Sequence, residues 1–441
     1  MRIVHDGTAA FDAELDRIEH RGESDFERVE PAVREILAAV RKEGDAAVLR
    51  YAQKFDRRTP DPLVRAAFEG QAALSRLPPE AVAAMRLSAD RIRAFHEKQR
   101  AHLSEGLAFR FTDHDGATLG WRSHPMARVG VYAPGGKARY PSSVLMSAIP
   151  ARVAGVKEIV LATPLAGDAT DDSLLAAAHL SGVTSIVDAG GAQAIAALAY
   201  GTQSIPRVDK IVGPGNLYVA CAKRFVFGAV AIDSIAGPSE ILVVADDEAD
   251  PRVVAADLLS QAEHDEAAYP LLVCASVAMA EAVAREVDAQ LASLPRVAIA
   301  RASVERNGVA FVVKTRDRLA EIADRLAPEH VSVQTRDPAE LLENIVRVGA
   351  AFLGPLTPEA AGDYAAGPSH VLPTGGTVRF GAPLSVLDFY AHNSVISYSR
   401  DALAAQRAAI TSFARLERLE AHARAVEARF TSPHGSGPSR R

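Results

Sequence analysis

From Arg128 onward the chain repeats one rhythm: a short β-branched and apolar run, a turn, then an Ala-rich stretch at helical spacing. Short buried strands separated by helices long enough to cross a sheet predict parallel strands with helices on both faces. The runs fall at 129–133, 158–162, 185–188, 210–212 and 230–232, and a second series after Gly237 falls at 241–245, 271–275, 309–313, 331–334 and 350–353. Residues 277–291 read as one of the covering helices. Two such layers side by side make a cleft at their junction, where ligands tend to bind. No internal repeat is visible, so the two series share only their rhythm.

The flanks read differently. Residues 1 to 125 are expected to be helical, with 27–42 and 79–99 carrying apolar residues at helical spacing among many charges. Past Pro383 the chain turns helical again, 404–430 reading as one amphipathic segment and 431–441 as a disordered polar tail. A chain of 441 residues exceeds what one core sustains, so at least two domains are expected. A net charge of −6 offers no footprint for a phosphate backbone, and nucleic acid is not an expected partner. Cys221 and Cys274 are too few for a disulfide framework or a thiolate zinc site. With no basic, apolar leader and no run that could span a bilayer, a cytoplasmic protein without a membrane partner is expected.

Several polar residues interrupt this apolar plan. Asp250 and Pro251 make an N-cap and first turn for a helix through Val254 and Leu258. Gln261 continues its stripe and His264 follows three residues on, so both could point at one ion, or simply finish the helix as satisfied polar groups. Glu329 and His330 stand between Pro328 and an apolar strand; they suit general acid and base work, or a helix C-terminus with a favourable histidine. Asp363 lies in a loop-like Gly- and Ala-rich segment before His370, where it could ligate a metal or cap a turn. His422 sits on an apolar stripe that suits a core imidazole, and on a regular helix Glu417 would lie about 140° away, so separate tasks are expected. Gln261, His264, Asp363 and His422 together form a nitrogen and oxygen set suited to Zn²⁺. Gly135–Gly136, Gly190–Gly191 and Gly213-Pro214-Gly215 each follow an expected strand, where an anion could be received, but none forms the GxGxxG fingerprint.

From about Asp25 to Arg429 these stretches resemble the histidinol dehydrogenase family. The motifs are RVGVYAPGG from Arg128, GGAQAIAALAYGT from Gly190, VDKIVGPGN from Val208, AGPSEILV from Ala236, LLSQAEH from Leu258, APEH from Ala327 and AGDYAAGPSHVLPTGG from Ala361. The resemblance implies an α/β fold of two incomplete Rossmann-like parallel-sheet domains with helical N- and C-terminal extensions. Their expected limits are 1–24 for an N-terminal helical extension, 25–128 with 238–382 for a first α/β domain carrying metal and catalytic residues, 129–237 for a second on the NAD side, and 383–441 for a C-terminal dimerisation segment. It also implies one Zn²⁺ per subunit held by Gln261, His264, Asp363 and, from the partner of a homodimer, His422. Substrate contacts fall on Ser239, Gln261, His264, Glu329, His330, Asp363, His370, Glu417 and His422, and NAD contacts on Tyr132, Gln193 and Asn216. His330 would take the hydroxyl proton and Glu329 would activate water, in a four-electron oxidation of L-histidinol through L-histidinal to L-histidine.

Related members of the superfamily oxidise other small alcohols such as sulfonated diols, so another polar alcohol is the alternative substrate; Glu417-Arg-Leu-Glu-Ala-His422 favours histidinol. A metal-dependent hydrolase would turn over without reducing a nicotinamide. A non-catalytic binding protein should have lost Glu329 or His330, and both are present. The run Ala391-His392-Asn393 stands where the family leads one to expect more basic residues.

Overall fold

The computed structural model describes residues 1–21, 26–135 and 139–431. The 24/25 domain limit, Gly136 and the tail beyond Thr431 lie outside the described residues. The chain divides into two compact units, Met1–Arg100 with Pro125–Phe389, and Ala101–His124 with Tyr390–Arg441.

The larger unit holds two six-stranded sheets. The first runs, edge to edge, Arg2–His5, Val309–Val312, Tyr269–Cys274, Glu240–Ala245, His330–Gln334 and Ala350–Leu353, all parallel. The second runs Val64–Arg65, Ser185–Val187, Glu158–Ala162, Arg128–Tyr132, Lys210–Val212 and Ala231–Ile232, parallel except for the first edge strand. In each series of five the earliest strand is central, the next two build to one side and the last two to the other. This is the doubly wound Rossmann-like order, with its reversal beside Glu240–Ala245 in one sheet and Arg128–Tyr132 in the other. Every residue of Glu240–Ala245 and of His330–Gln334 is buried, as expected for strands covered on both faces.

The first residues are not simply a helical extension. Arg2–His5 is an edge strand, Arg2 standing opposite Val309, and the helix Ala9–Glu19 follows, capped by the Thr8 hydroxyl, which accepts from the Phe11 amide at 3.3 Å. Phe11 then meets Phe311 edge-on at 5.3 Å. Four residues carry too little local periodicity to announce a strand; an open sheet edge 300 residues away supplies the partner.

Residues 26–65 pack differently from their sequence grouping with the metal-side layer. Val33, Ile36 and Val40 of the helix Glu30–Glu43, and Val48 of Asp45–Asp56, share a core with Ile195, Leu198 and Ile211 of the second sheet's layer. Amphipathic helices bury whichever sheet face is open to them, and their sequence does not say which.

The smaller unit departs most from the helical expectation. It contains a three-stranded sheet of Ala108–Thr112, Thr118–Pro125 and Tyr390–Ser397, where Trp121 stacks on His392 at 5.2 Å. The expected long C-terminal helix is two helices, Arg400–Leu416 and Glu420–Glu427, broken at Arg418, whose φ is 62°. Among the described residues no helix is long and apolar enough to cross a membrane.

Candidate active site

Two strand starts and one short helix build the polar centre of the larger unit. Parallel pairing sets Ile241 opposite His330, so Glu240 and the Glu329–His330 pair open neighbouring central strands at the same level. The turn before the pair is tight, Ala327 holding a φ of 47° after the helix Arg316–Leu326. The Glu329 carboxylate accepts from the Glu240 amide at 2.9 Å, and His330 Nδ1 lies 2.8 Å from the Glu240 carbonyl oxygen. Both side chains are buried. Burial, and then the negative Glu240, push the Glu329 carboxyl well above the usual range. Burial lowers the His330 pKa and favours the neutral ring.

The helix Glu359–Tyr364 brings acid to this pair. Sequence reading expects a loop around Asp363; instead Pro358 leads in with extended backbone and one and a half turns follow, placing Glu359 and Asp363 on one face. Asp363 Oδ1 is 3.3 Å from His370 Nδ1, and Glu359 Oε1 is 3.5 Å from His330 Nδ1. Donor atoms of His330, Glu359 and Asp363 all lie within 4.8 Å of one another. Burial pushes Asp363 up, but the hydrogen bond from His370 and the neighbouring His370, His330 and His264 outweigh it, so its pKa ends lowered. Glu359 is pushed well above its usual range by burial, then by Asp363 and Asp257.

Gln261 is buried on the last turn of Pro251–Ala262, a helix that packs on Glu359–Tyr364. His264 does not share that helix, as its spacing suggested; it lies in the turn beyond, its amide donating to the Gln261 carbonyl at 3.2 Å. Its side chain reaches the surface, yet desolvation still lowers its pKa, with Asp363 pulling the other way. Ser239 directly precedes Glu240, its carbonyl accepting from the Tyr269 amide at 2.9 Å. The larger unit thus brings His330, Glu359 and Asp363 together, with His370 against Asp363, and carries Gln261, His264 and Ser239 on the elements that border them. Nitrogen and oxygen donors this closely spaced, one carboxylate already held ionised, fit a divalent ion such as Zn²⁺.

Glu417 and His422 belong to the smaller unit. Because of the break at Arg418 they are not on one helix: Glu417 caps Arg400–Leu416, and His422 lies in the first turn of Glu420–Glu427. Both are exposed, so His422 is not the core imidazole its apolar stripe suggested. They line a cavity of about 450 Å³ with Ala409, Ile410, Phe413 and Leu419.

The second sheet carries its polar residues at the opposite, C-terminal strand ends. Tyr132 ends the central strand, its hydroxyl accepting from the Gly191 amide at 3.1 Å, and burial pushes that hydroxyl up to about 12. Gly213, at φ 113°, comes so close to Tyr132 that a Cβ would collide with the Tyr132 carbonyl. Asn216 caps the helix Leu217–Val226, accepting from Tyr218 and Val219 at 3.1 and 3.2 Å. Gln193 is buried, and its Oε1 has no hydrogen-bond partner among the described residues. An orphaned buried amide, close-fitting glycine turns and a helix N-terminus beside the switch point fit a dinucleotide.

Glu359 and Glu240 are absent from the residues that sequence reasoning singled out. Glu240 had a signal, since a glutamate opening a wholly apolar strand contradicts its surroundings. Glu359, after a proline at a helix start, looks like an ordinary first-turn acid.

A family model described as histidinol dehydrogenase matches residues 19–430. The histidinol dehydrogenase of Syntrophotalea carbinolica is 49% identical over 98% of this chain and 99% of its own length. That of Lactiplantibacillus plantarum is also 49% identical, over 91% of this chain and 93% of its own. A crystal structure of histidinol dehydrogenase from Elizabethkingia anophelis is similar at a TM-score of 0.89 and 32% identity, covering 98% of each chain. The chain belongs to the histidinol dehydrogenase family.

Proposed function

We propose that this protein carries out the zinc-dependent, NAD-linked oxidation of L-histidinol through L-histidinal to L-histidine, as a cytoplasmic homodimer. The observation that carries the reading is the orientation of His330. A carbonyl oxygen can only accept, so Nδ1 holds the hydrogen and Nε2 is left as the basic nitrogen. When bound, zinc supplies a fixed anchor for the substrate's amino and imidazole nitrogens, and NAD accepts a hydride in each of two rounds.

Gln261, His264, Asp363 and His422 of the partner subunit would hold the metal, and Ser239, His370 and Glu417 would contact the substrate. Tyr132, Gln193 and Asn216 would hold NAD. His330 takes the hydroxyl proton at Nε2 as the first hydride leaves the carbinol carbon, giving the aldehyde. Glu329 removes a proton from the water that adds to this aldehyde, leaving the anion of its hydrate; loss of the second hydride from that anion leaves the carboxylic acid. The raised proton affinity of Glu329 suits a base, because a strongly acidic carboxyl would not take a proton from water. In this division of labour the first sheet carries metal and chemistry, the second the NAD, and the C-terminal segment the dimer contact. Phe413 and Leu416 are 63% and 78% exposed beside the His422 cavity, apolar surface of the kind a partner covers.

Absorbance at the reduced-nicotinamide band, with L-histidinol and with or without chelator, tests the scheme. Two reduced NAD per histidinol, lost on chelation, are expected. One per histidinol, with histidinal accumulating, overturns the four-electron reading.

A further inference from the structure

We propose that Arg21 is a positioning residue for the catalytic pair, its guanidinium fixing Glu240 and, through the Glu240 backbone, both Glu329 and His330. The inference rests on the roles given to that pair above. Arg21 follows the N-terminal helix and is 8% exposed. Its Nη2 lies 2.7 Å from Glu240 Oε2, with both side chains 1% exposed. The same nitrogen donates to the carbonyls of Leu326 and Ala327 at 2.9 and 3.2 Å, and Nη1 donates to Ile18 at 2.8 Å.

These contacts converge on what precedes the pair. Leu326 and Ala327 form the turn that delivers Glu329, and Glu240 is where the pair's hydrogen bonds end. The Glu240 amide donates to the Glu329 carboxylate at 2.9 Å, and its carbonyl accepts from His330 at 2.8 Å. Glu240 Oε1 accepts in turn from the Gly375 amide at 2.6 Å. A buried carboxylate so close to Glu329 is unfavourable unless a cation compensates it. The guanidinium spans two sets of acceptors, Nη2 meeting the carboxylate and the carbonyls of Leu326 and Ala327 while Nη1 holds the carbonyl of Ile18; lysine has the charge but one donor nitrogen and cannot hold both. None of the hydrogen bonds found for Arg21 reaches Gln261, His264 or Asp363. Loss of the fork should therefore disturb the base and the water-activating carboxylate and spare the metal and substrate anchor.

The zinc-loaded dimers of Arg21→Met and Arg21→Lys are compared with the parent for kcat and KM on histidinol and histidinal, for bound zinc and for Tm. Arg21→Met is expected to lose about tenfold or more in kcat on both substrates, with KM within about twofold and zinc unchanged, and Arg21→Lys to fall between. Parent-like kcat in Arg21→Met overturns the proposal. So does a loss in which KM rises and zinc is shed together with kcat, the mark of mere support for the fold. Should Arg21→Met fail to fold, Arg21→Lys decides alone: lower kcat at constant KM supports the proposal, and parent kcat overturns it. A parent protein inactive on histidinol would instead sink the functional reading.

Discussion

The imidazole of His330 is held by the backbone carbonyl of Glu240, 2.8 Å from Nδ1, and its other nitrogen is the one left to receive a proton. Replacement of His330 by Asn keeps a donor for that carbonyl and removes the base. His330→Asn is expected to lower kcat on histidinol by about a hundred- to ten-thousandfold with little change in KM. Steady-state kinetics decide the matter; a loss below about threefold would move the proton transfer elsewhere.

Glu329→Gln keeps an acceptor for the Glu240 amide but cannot take a proton from water. Oxidation of added L-histidinal is expected to fall by about a hundredfold, and the first hydride transfer from histidinol much less, so histidinal should be trapped by a hydrazine reagent. Equal losses in both half-reactions would end the division of labour between the two residues.

Glu359 and Asp363 share a helix face but are expected to separate on metal binding. Asp363, with its lowered proton affinity, is the ready ligand; Glu359 favours its protonated form. After dialysis, Asp363→Ala should retain almost no zinc. Glu359→Gln should weaken zinc by about tenfold to a hundredfold, the usual cost of a supporting residue. Metal analysis showing the reverse order would reassign the ligand.

If His422 serves across the dimer, two dead subunits can make one live site. Co-expression of His422→Ala with His330→Asn chains should give mixed dimers in which one site is complete, about a quarter of parent activity for random pairing. Activity no higher than either variant alone would return His422 to its own chain.

His96 gives a prediction about stability rather than rate. It is fully buried, Nδ1 facing Gln99 Oε1 at 3.1 Å and Nε2 lacking a partner among the described residues. Burial lowers its pKa. Below the unfolded value of about 6.5 the unfolded chain takes a proton that the folded one refuses, so stability is lost as the pH drops, by up to about 1.4 kcal/mol per unit. His264 and His330 carry the same sign. The difference between parent and His96→Gln in urea unfolding at pH 7.5 and 5.5 isolates the His96 share, and parallel loss in both proteins would remove it.

The strands that could be read from the sequence are those buried on both faces, such as Glu158–Ala162 and Lys210–Val212, whose apolar runs are continuous. Those missed have no such run. Arg2–His5 has one buried residue in four and becomes a strand only by pairing with the distant Val309–Val312, and Ala108–Thr112 has all five exposed and is held only by its hairpin neighbour Thr118–Pro125. His330 and Asp363 are conspicuous as polar residues at the edges of apolar segments, but their spacing alone leaves capping and chemical roles both open, and only the family resemblance joins them in one site. Glu359 is not conspicuous, since its burial is created by packing between elements. The Arg418 break was equally silent: arginine is a good helix former, and nothing in Glu417-Arg-Leu forbids another turn.

The pairing of Arg2 with Val309 also orders events on the ribosome. Every strand of the second sheet has been synthesised once Ile232 emerges, whereas the first sheet must keep its opening strand unpaired until Val312 is made and is complete only at Leu353. Pairing across so long a loop is slow. The second sheet can therefore consolidate during translation, while the N-terminal strand waits unpaired as nascent chain, the interval in which a chaperone has most to shield.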